Sequence, residues 1–455
     1  MNNHSTQSES KFLKRLATVT EHNDPINPDL YAKYNVKRGL RYADGTGVLV
    51  GLTHIGDVVG YETDGDEIIP VPGRLIYRGY NVADLIKDAE KNKQFGFEQC
   101  VYLLLFGELP TQKQLSDFTE FIGQCRVLPP NFTEDMIMRA PSKDIMNKIA
   151  RGVLACYSYD DNPEDRSVSN VLRQCIELIA RFSTLAAYGY QAKRRYFDDT
   201  SMFIHNPDPS ISTAENFLRL IRPDTKYTRL EAETLDLALI LHAEHGGGNN
   251  SSLTVHVVSS ADTDTYSAMA AAVGSLKGRR HGGANIRVIE MMDEIKANVK
   301  DWSNENELKD YLYKIATKNA FDHSGLIYGM GHAVYTISDP REKLLKAKAK
   351  QLAKEKGCME EFALYDAIER LAPGIIKDVH HSDKSVCANV DLYSGFVYTM
   401  LNIPRELFTP IFAISRIAGW SAHRIEEIVA GGRIYRPAYK CVSDERAFIS
   451  LADRK

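Results

Sequence analysis

Nothing in the 455 residues stays apolar long enough to span a bilayer, and the first twenty are polar, without the hydrophobic stretch that opens a secretory leader. Glu9 and a lone Arg15 also make a poor organellar transit peptide. The seven cysteines are scattered, odd in number and form no Cys-x-x-Cys pair. That excludes a disulfide framework and a thiolate metal site, and it points to reduced thiols in a cytoplasmic protein. A net charge of -4 leaves no footprint for nucleic acid or an acidic membrane surface. Neither Gly-x-Gly-x-x-Gly nor a P-loop pattern occurs, so a nucleotide fold is not supported. Repeats at solenoid period and low-complexity segments are missing as well.

What remains is ordinary globular composition, 44% hydrophobic and 25% charged, over a length that favours two domains or lobes. Strand-like patterning is confined to residues 44–80, in short β-branched runs at 47–52, 57–61 and 68–72 cut by Gly, Asp and Pro. From Asn81, a capping residue, the period turns helical. The pattern predicts a helix ending at Gly107, one from Thr111, one from 142 with Ser142 as cap, and a long one from Ser167 to Tyr190. Further helices are expected at 213–221, 228–242, 397–401, 408–420 and 422–430. The segment 264–277 places Ala268, Ala271, Ala272 and Ser275 on one face, which suits a buried helix or a subunit interface. Residues 286–320 and 340–371 are more charged, and Pro373-Gly374 should close that region. The expected fold is mainly α, with a small β element near the N-terminus.

Six of the 13 histidines fall between 242 and 332, and three of them adjoin glycine, where backbone can approach a ligand closely. In His242-Ala243-Glu244-His245 the i, i+3 spacing suits a metal pair, but His-Glu-x-x-His is absent and a structural or carboxylate-binding role for His242 is favoured. His281, before Gly282-Gly283, could be a helix-terminal group or a catalyst. Gly329-Met330-Gly331-His332 is a glycine loop ending in histidine, and Asp339-Pro340-Arg341 reads as the start of a helix. Asp391 lies among apolar neighbours, either as a helix cap or as a desolvated base. Arg416 sits inside an apolar stretch, where its charge must be paired or bind something, while Arg433 and Arg436 follow a helix end.

Taken in order, these motifs resemble the citrate synthase family. The resemblance rests on His242-Ala243-Glu244-His245, His281-Gly282-Gly283-Ala284-Asn285, Gly331-His332, Asp339-Pro340-Arg341, Asn389-Val390-Asp391, Ser415-Arg416 and Arg436-Pro437. Tyr77-Arg78-Gly79-Tyr80 and residues 103–111 add to it, so it extends over roughly residues 35–450.

The resemblance implies condensation of oxaloacetate with acetyl-CoA and water to citrate and CoA, with no metal and no cofactor. By carry-over, Asp391 removes the methyl proton, His281 hydrogen-bonds the thioester oxygen, and His332 polarises the ketone. His242, Arg341 and Arg416 would hold carboxylates, with Arg436 reaching the site from the other subunit of a homodimer. Tyr328, Gly329, Met330 and Gly331 would line the CoA site. The implied architecture is a two-domain helical fold: a large domain of 1–285 plus 397–455, and a small domain of 286–396 that closes over the site. The residue types suit the chemistry, since a feeble carbon acid needs a placed base and quenched enolate charge, and arginine forks pair with carboxylates.

The chain departs from the commoner family pattern at Arg279-Arg280, Met330 and Ala388, all near the acyl pocket. A 2-methylcitrate synthase using propionyl-CoA is therefore the alternative within the family. Outside it stand a metal-dependent hydrolase built on His242, His245 and His256, and a non-catalytic helical scaffold.

Overall fold

The computed structural model describes residues 7–23, 25–42, 45–64, 67–381 and 385–454. Contacts divide the chain into two units, residues 1–51 with 436–455 and residues 52–435. In the first, the polar N-terminus forms a helix, Gln7–Asn23, followed by the short helix Asp29–Lys33. Lys440 Nζ lies 5.6 Å from the Tyr34 ring centre, so the two ends of the chain meet. None of this unit's described residues is buried, and Phe12, Leu16, Tyr439 and Phe448 are exposed. The strand expected at 47–52 does not form, and only Gly47 pairs, in an isolated bridge to Arg41. A β-branched run becomes a strand only where another strand takes its backbone groups.

The second unit opens with the antiparallel strands Gly56–Asp64, Glu67–Tyr77 and Tyr80–Asn81. The sheet lies against the segment around residue 334, as a Cβ on Gly60 would stand 2.5 Å from the Val334 carbonyl. Gly73 donates its N–H to the Ser338 carbonyl at 3.1 Å. Helices follow, beginning where the polar caps predict. Asn81 caps Val82–Lys91, and Gly107 ends Phe97–Phe106 in the left-handed conformation. Thr111 and Ser167 cap Gln112–Cys125 and Val168–Phe197.

Three expectations need correction. The cap of Ile145–Cys156 is Asp144, whose carboxylate accepts the Asn147 N–H, while Ser142 Oγ accepts the Asp144 N–H one step upstream. Pro373 does not end its helix, which runs from Met359 to His380. Ile375 beyond it is buried and Ile376 and Val379 pack on the core, so burial of that face outweighs the one backbone bond proline removes. Residues 408–430 form a single helix, Phe408–Ala430. Its side chains are buried almost continuously to Arg424, because it packs against Phe97–Phe106, Val168–Phe197, Arg229–His242, Asn250–Ser259 and Thr265–Leu276.

The small-residue helix Thr265–Leu276 packs inside the unit against Ile145–Cys156 and Asn250–Ser259, with Ala268 and Ala272 fully buried. The charged helices Glu305–Ala316, Pro340–Lys356 and Met359–His380 make many of their contacts with one another and with the apolar helix Asp391–Met400. Among the described residues no helix is long and apolar enough to cross a membrane.

Candidate active site

One wall of the site is the buried face of Phe408–Ala430 with the turn it holds. The helix Arg229–His242 stops at His242, so His245 lies beyond it and the two rings do not share a helical face. The turn is fixed through its backbone. Arg416 Nε donates to the His242 carbonyl at 2.6 Å, and the Gly419 N–H donates to the Ala243 carbonyl at 3.1 Å. Tyr77 Oη lies 2.9 Å from the Ile240 carbonyl and accepts the Glu244 N–H at 3.2 Å. Gly246 turns the chain at φ +82°, which a side chain rarely adopts.

Phe412 gathers three polar groups around its ring: the His242 ring at 4.6 Å, the Arg416 guanidinium carbon at 4.8 Å and the His281 ring at 6.1 Å. Arg416 is fully buried, yet its Nη1 and Nη2 find no acceptor among the described residues. Burial lowers its pKa to about 10 against the pull of Glu244. Nδ1 of His242 and Nε2 of His245 are likewise buried and unpartnered among the described residues. Burial, then the neighbouring arginines Arg341 and Arg416, pushes both histidines well below their ordinary value, so both are neutral.

His281 follows the small-residue helix in a turn where its N–H donates to the Gly278 carbonyl and the Gly282 N–H to Leu276. Its Nε2 lies 3.0 Å from Ser251 Oγ, which also accepts the Trp420 indole N–H at 3.0 Å. Burial and Arg416 bring the ring down to about 4, so it too is neutral at pH 7.

The other wall is made of two loop segments zipped together. The Gly331 N–H donates to the Cys387 carbonyl at 2.8 Å, and the Asn389 N–H donates to the Gly329 carbonyl at 2.9 Å. Asn389 Nδ2 reaches the Gly331 carbonyl at 2.8 Å, and Met330 bridges Ala388. Gly329 and Gly331 have φ of +85° and +87°, and a Cβ on Gly329 would stand 2.9 Å from Leu392. Tyr328 enters the loop held by its hydroxyl, which donates to Asp322 at 2.8 Å, with the Arg287 guanidinium 5.2 Å from its ring.

This zipper sets His332 and Asp391. His332 Nδ1 accepts the N–H groups of Val334 and Tyr335, each at 3.0 Å, which leaves the ring proton on Nε2. The ring stacks on Tyr335 and meets His245 edge-on at 5.2 Å. Asp391 is the first residue of Asp391–Met400, where desolvation raises its carboxyl to about 6 against the opposing charge of Arg341. Arg341 itself is held in a fork by Asp339, with Nε–Oδ1 at 3.0 Å and Nη2–Oδ2 at 2.7 Å. Asp339 also caps Pro340–Lys356 and accepts the Val390 N–H at 3.2 Å, tying that arginine to the base of Asp391.

His242, His281 and Arg416 thus meet at Phe412, while His332, Arg341 and Asp391 share the loop wall. Arg436 is exposed and belongs to the first unit. Sequence reasoning weighed His245 only as a metal partner of His242 and Asp339 only as a helix start, and it passed over Phe412 and Ser251, which carry no polar motif of their own. His256 does not join His242 and His245. It bonds Glu427 and His423 instead, and the spacing of a metal cluster is found among the described residues at His256, His423 and Glu426. The site as built offers neutral imidazoles, buried guanidinium N–H groups and one carboxyl of raised pKa, a set suited to binding a carboxylate beside a proton transfer.

The model of the citrate synthase C-terminal domain matches residues 42–438. A citrate synthase of Haloferax volcanii is 34% identical over 92% of this chain and 99% of its own length. A 2-methylcitrate synthase of Shewanella oneidensis is 30% identical over 84% of this chain and 92% of its own. Among solved structures, citrate synthase from Pyrobaculum aerophilum superposes with a TM-score of 0.72 at 28% identity, covering 90% of this chain and 94% of that one. Thermoplasma acidophilum citrate synthase, in a ternary complex with carboxymethyl coenzyme A and oxaloacetate, gives 0.73 at 26% identity over 92% of this chain and 99% of that one.

Proposed function

This chain belongs to the citrate synthase family, which condenses an acyl-CoA with oxaloacetate, and we propose that it uses acetyl-CoA and forms citrate. The buried, unpartnered Nη1 and Nη2 of Arg416 carry the reading, because a desolvated guanidinium fork without an acceptor is costly unless an anion completes it. Oxaloacetate supplies two carboxylates, for Arg416, Arg341 and His242, with Arg436 arriving from the partner of a homodimer. The exposed apolar residues of the first unit support that dimer.

Asp391 takes a proton from the acetyl methyl group. Its raised pKa brings it nearer the acidity of its target than an ordinary carboxylate. As the enol forms, His281 donates from Nδ1 to the thioester oxygen. In the structure the Ser251 hydroxyl donates to Asn249 Oδ1 at 2.9 Å, so this tautomer requires it to turn its hydrogen to Nε2, with the Trp420 N–H donating to the same oxygen. The enol carbon then attacks the ketone, a carbon–carbon bond forms, and the Nε2–H of His332 stabilises the alkoxide. Water cleaves the resulting thioester and CoA leaves. Residues 328–331 would lie along CoA, and the small domain, 286–396, would close over both substrates to exclude water.

Thiol release from oxaloacetate with competing acetyl-CoA and propionyl-CoA tests the assignment. The likeness to a 2-methylcitrate synthase keeps propionyl-CoA as the second reading. One methylene is worth only about 1–3 kcal/mol in a pocket. A wide kcat/KM preference for propionyl-CoA would replace citrate by 2-methylcitrate, and no thiol release with either would refute both.

A further inference from the structure

Behind the turn that carries His242 and His245 lies a line of four groups, three of them buried and Glu427 half-buried, that the condensation does not use. Glu244 Oε1 stands 3.1 Å from His423 Nε2, with both side chains fully buried. His423 Nδ1 is 3.1 Å from His256 Nε2, and His256 Nδ1 is 2.8 Å from Glu427 Oε2. Space has been cleared for the Glu244 carboxylate: a Cβ on Gly56 would lie 2.8 Å from its Cγ, and one on Gly419 would collide with its oxygen. The protons can be counted. His256 gives its Nδ1–H to Glu427, so its Nε2 is bare and accepts from His423 Nδ1. His423 Nε2 stands at ion-pair distance from the Glu244 carboxylate, though not aligned in a hydrogen bond, and Glu426 flanks the ring's other nitrogen, so with a carboxylate on each side the ring carries both hydrogens and is a cation.

Glu244 therefore lies under the influence of two cations, His423 and Arg416. We propose that His423 is a positioning residue that neutralises Glu244 and so leaves the charge of Arg416 available to a substrate carboxylate. This rests on Arg416 being a carboxylate ligand, as assigned above. Were His423 uncharged, Glu244 would act on Arg416 alone and oppose the incoming anion.

The groups facing His423 are Glu244 from the turn, His256 from Asn250–Ser259, and Glu426 from its own helix, while Glu427 of that helix faces His256. Around these stand Tyr77 at Glu244, Arg78 toward Glu426 and Tyr435 toward Glu427. Burial works against the charged ring, yet Glu244 and Glu426 outweigh it and hold His423 at about 9. Its cationic form thus persists at neutral pH and is lost as pH rises past that value.

The test is calorimetric binding of oxaloacetate to the full chain and to His423→Gln, Glu244→Gln and the double variant, with thermal midpoints as a folding control. His423→Gln should weaken binding by about tenfold or more, and adding Glu244→Gln should restore it to within about threefold of the parent. Parental affinity should fall above about pH 9, and the double variant should lack that fall. Normal binding by His423→Gln, or a double variant as weak as the single one, would reduce the line to packing and overturn the proposal. If His423→Gln does not fold, the parental titration decides, and a flat profile between about pH 8 and 10 overturns it. Condensation by the parent tests the functional reading separately: a parent that turns over while His423→Gln binds normally sinks the relay alone.

Discussion

The helix wall and the loop wall of the site are held by different means. Arg416 and His242 belong to or abut Phe408–Ala430, whose side chains are buried almost continuously to Arg424, and Arg416 keeps both terminal NH2 groups without an acceptor among the described residues. Arg341, on the loop side, has the same side chain but is forked by Asp339. Its neighbours His332 and Asp391 are placed by backbone hydrogen bonds between 329–331 and 387–389 and by two left-handed glycines. A rigid core can carry the cost of an unpaired buried charge, because tertiary packing over-determines the helix. A loop has less packing to draw on, so its charge is paired internally and its geometry comes from the backbone. In the proposed chemistry the fixed wall presents Arg416 and His242 to a carboxylate and His281 to the thioester oxygen, while the loop wall supplies the base Asp391, with Arg341 as a further carboxylate ligand.

The sharpest way to separate the walls is Asp391→Asn. Its kcat should fall by about 10³-fold, in the range of a lost general base, with oxaloacetate affinity little changed. Equal turnover would remove Asp391 from the chemistry. Because the folded pKa of about 6 lies above that of an unfolded carboxylate, Asp391 costs stability that accumulates as pH rises from about 4 and is fully present above 6. The variant should then melt higher than the parent at pH 7 but not at pH 4, as scanning calorimetry would reveal.

Arg416→Met should do the reverse on the helix wall. Oxaloacetate binding should weaken by roughly 100-fold, the value of a charge-assisted fork, while the apo protein melts no lower than the parent. A clear loss of apo stability with intact binding would show that the guanidinium is structural.

Acidity should reach the loop wall first. With Asp391 protonating near pH 6, kcat/KM should drop by about tenfold at pH 5, and the limb should vanish from the residual activity of Asp391→Asn. A profile flat to pH 5 would contradict the desolvated carboxyl. The smallest effect is expected from Gly329→Ala, which puts a Cβ against Leu392 at φ +85°. Denaturant unfolding should register a loss of about 1–3 kcal/mol, and turnover should fall more than oxaloacetate affinity. An unperturbed variant would mean that the zipper tolerates a side chain.

Much of the site was legible because its groups announce themselves against their surroundings. Arg416 stands out in an apolar run, His281 and His332 stand beside glycines, and Asp339-Pro340-Arg341 carries the signature of a helix start that the structure confirms. His245 was read with His242 as though on one helix face, and the helix ends too early for that. Phe412 looked like any core residue, although three polar groups meet at its ring. The cap at Asp144 and the helix running through Pro373 were missed for a related reason: local signals mark where a helix can begin or end, and packing selects among them.

By itself the sequence determined the mainly helical class, most capped helix starts, the confinement of strands to one region and the family, since these depend on period, capping chemistry and ordered motifs. Tertiary structure alone decided which nitrogen of His332 carries its proton, that Arg341 is paired while Arg416 is not, and that Glu244, His423, His256 and Glu427 form a line. Protonation and pairing are settled by what lies within about 3 Å of an atom. For His423, His256 and Arg416 those neighbours come from residues more than a hundred positions away in the chain, while for His332 and Arg341 they lie two or three positions away, brought round by the local turn.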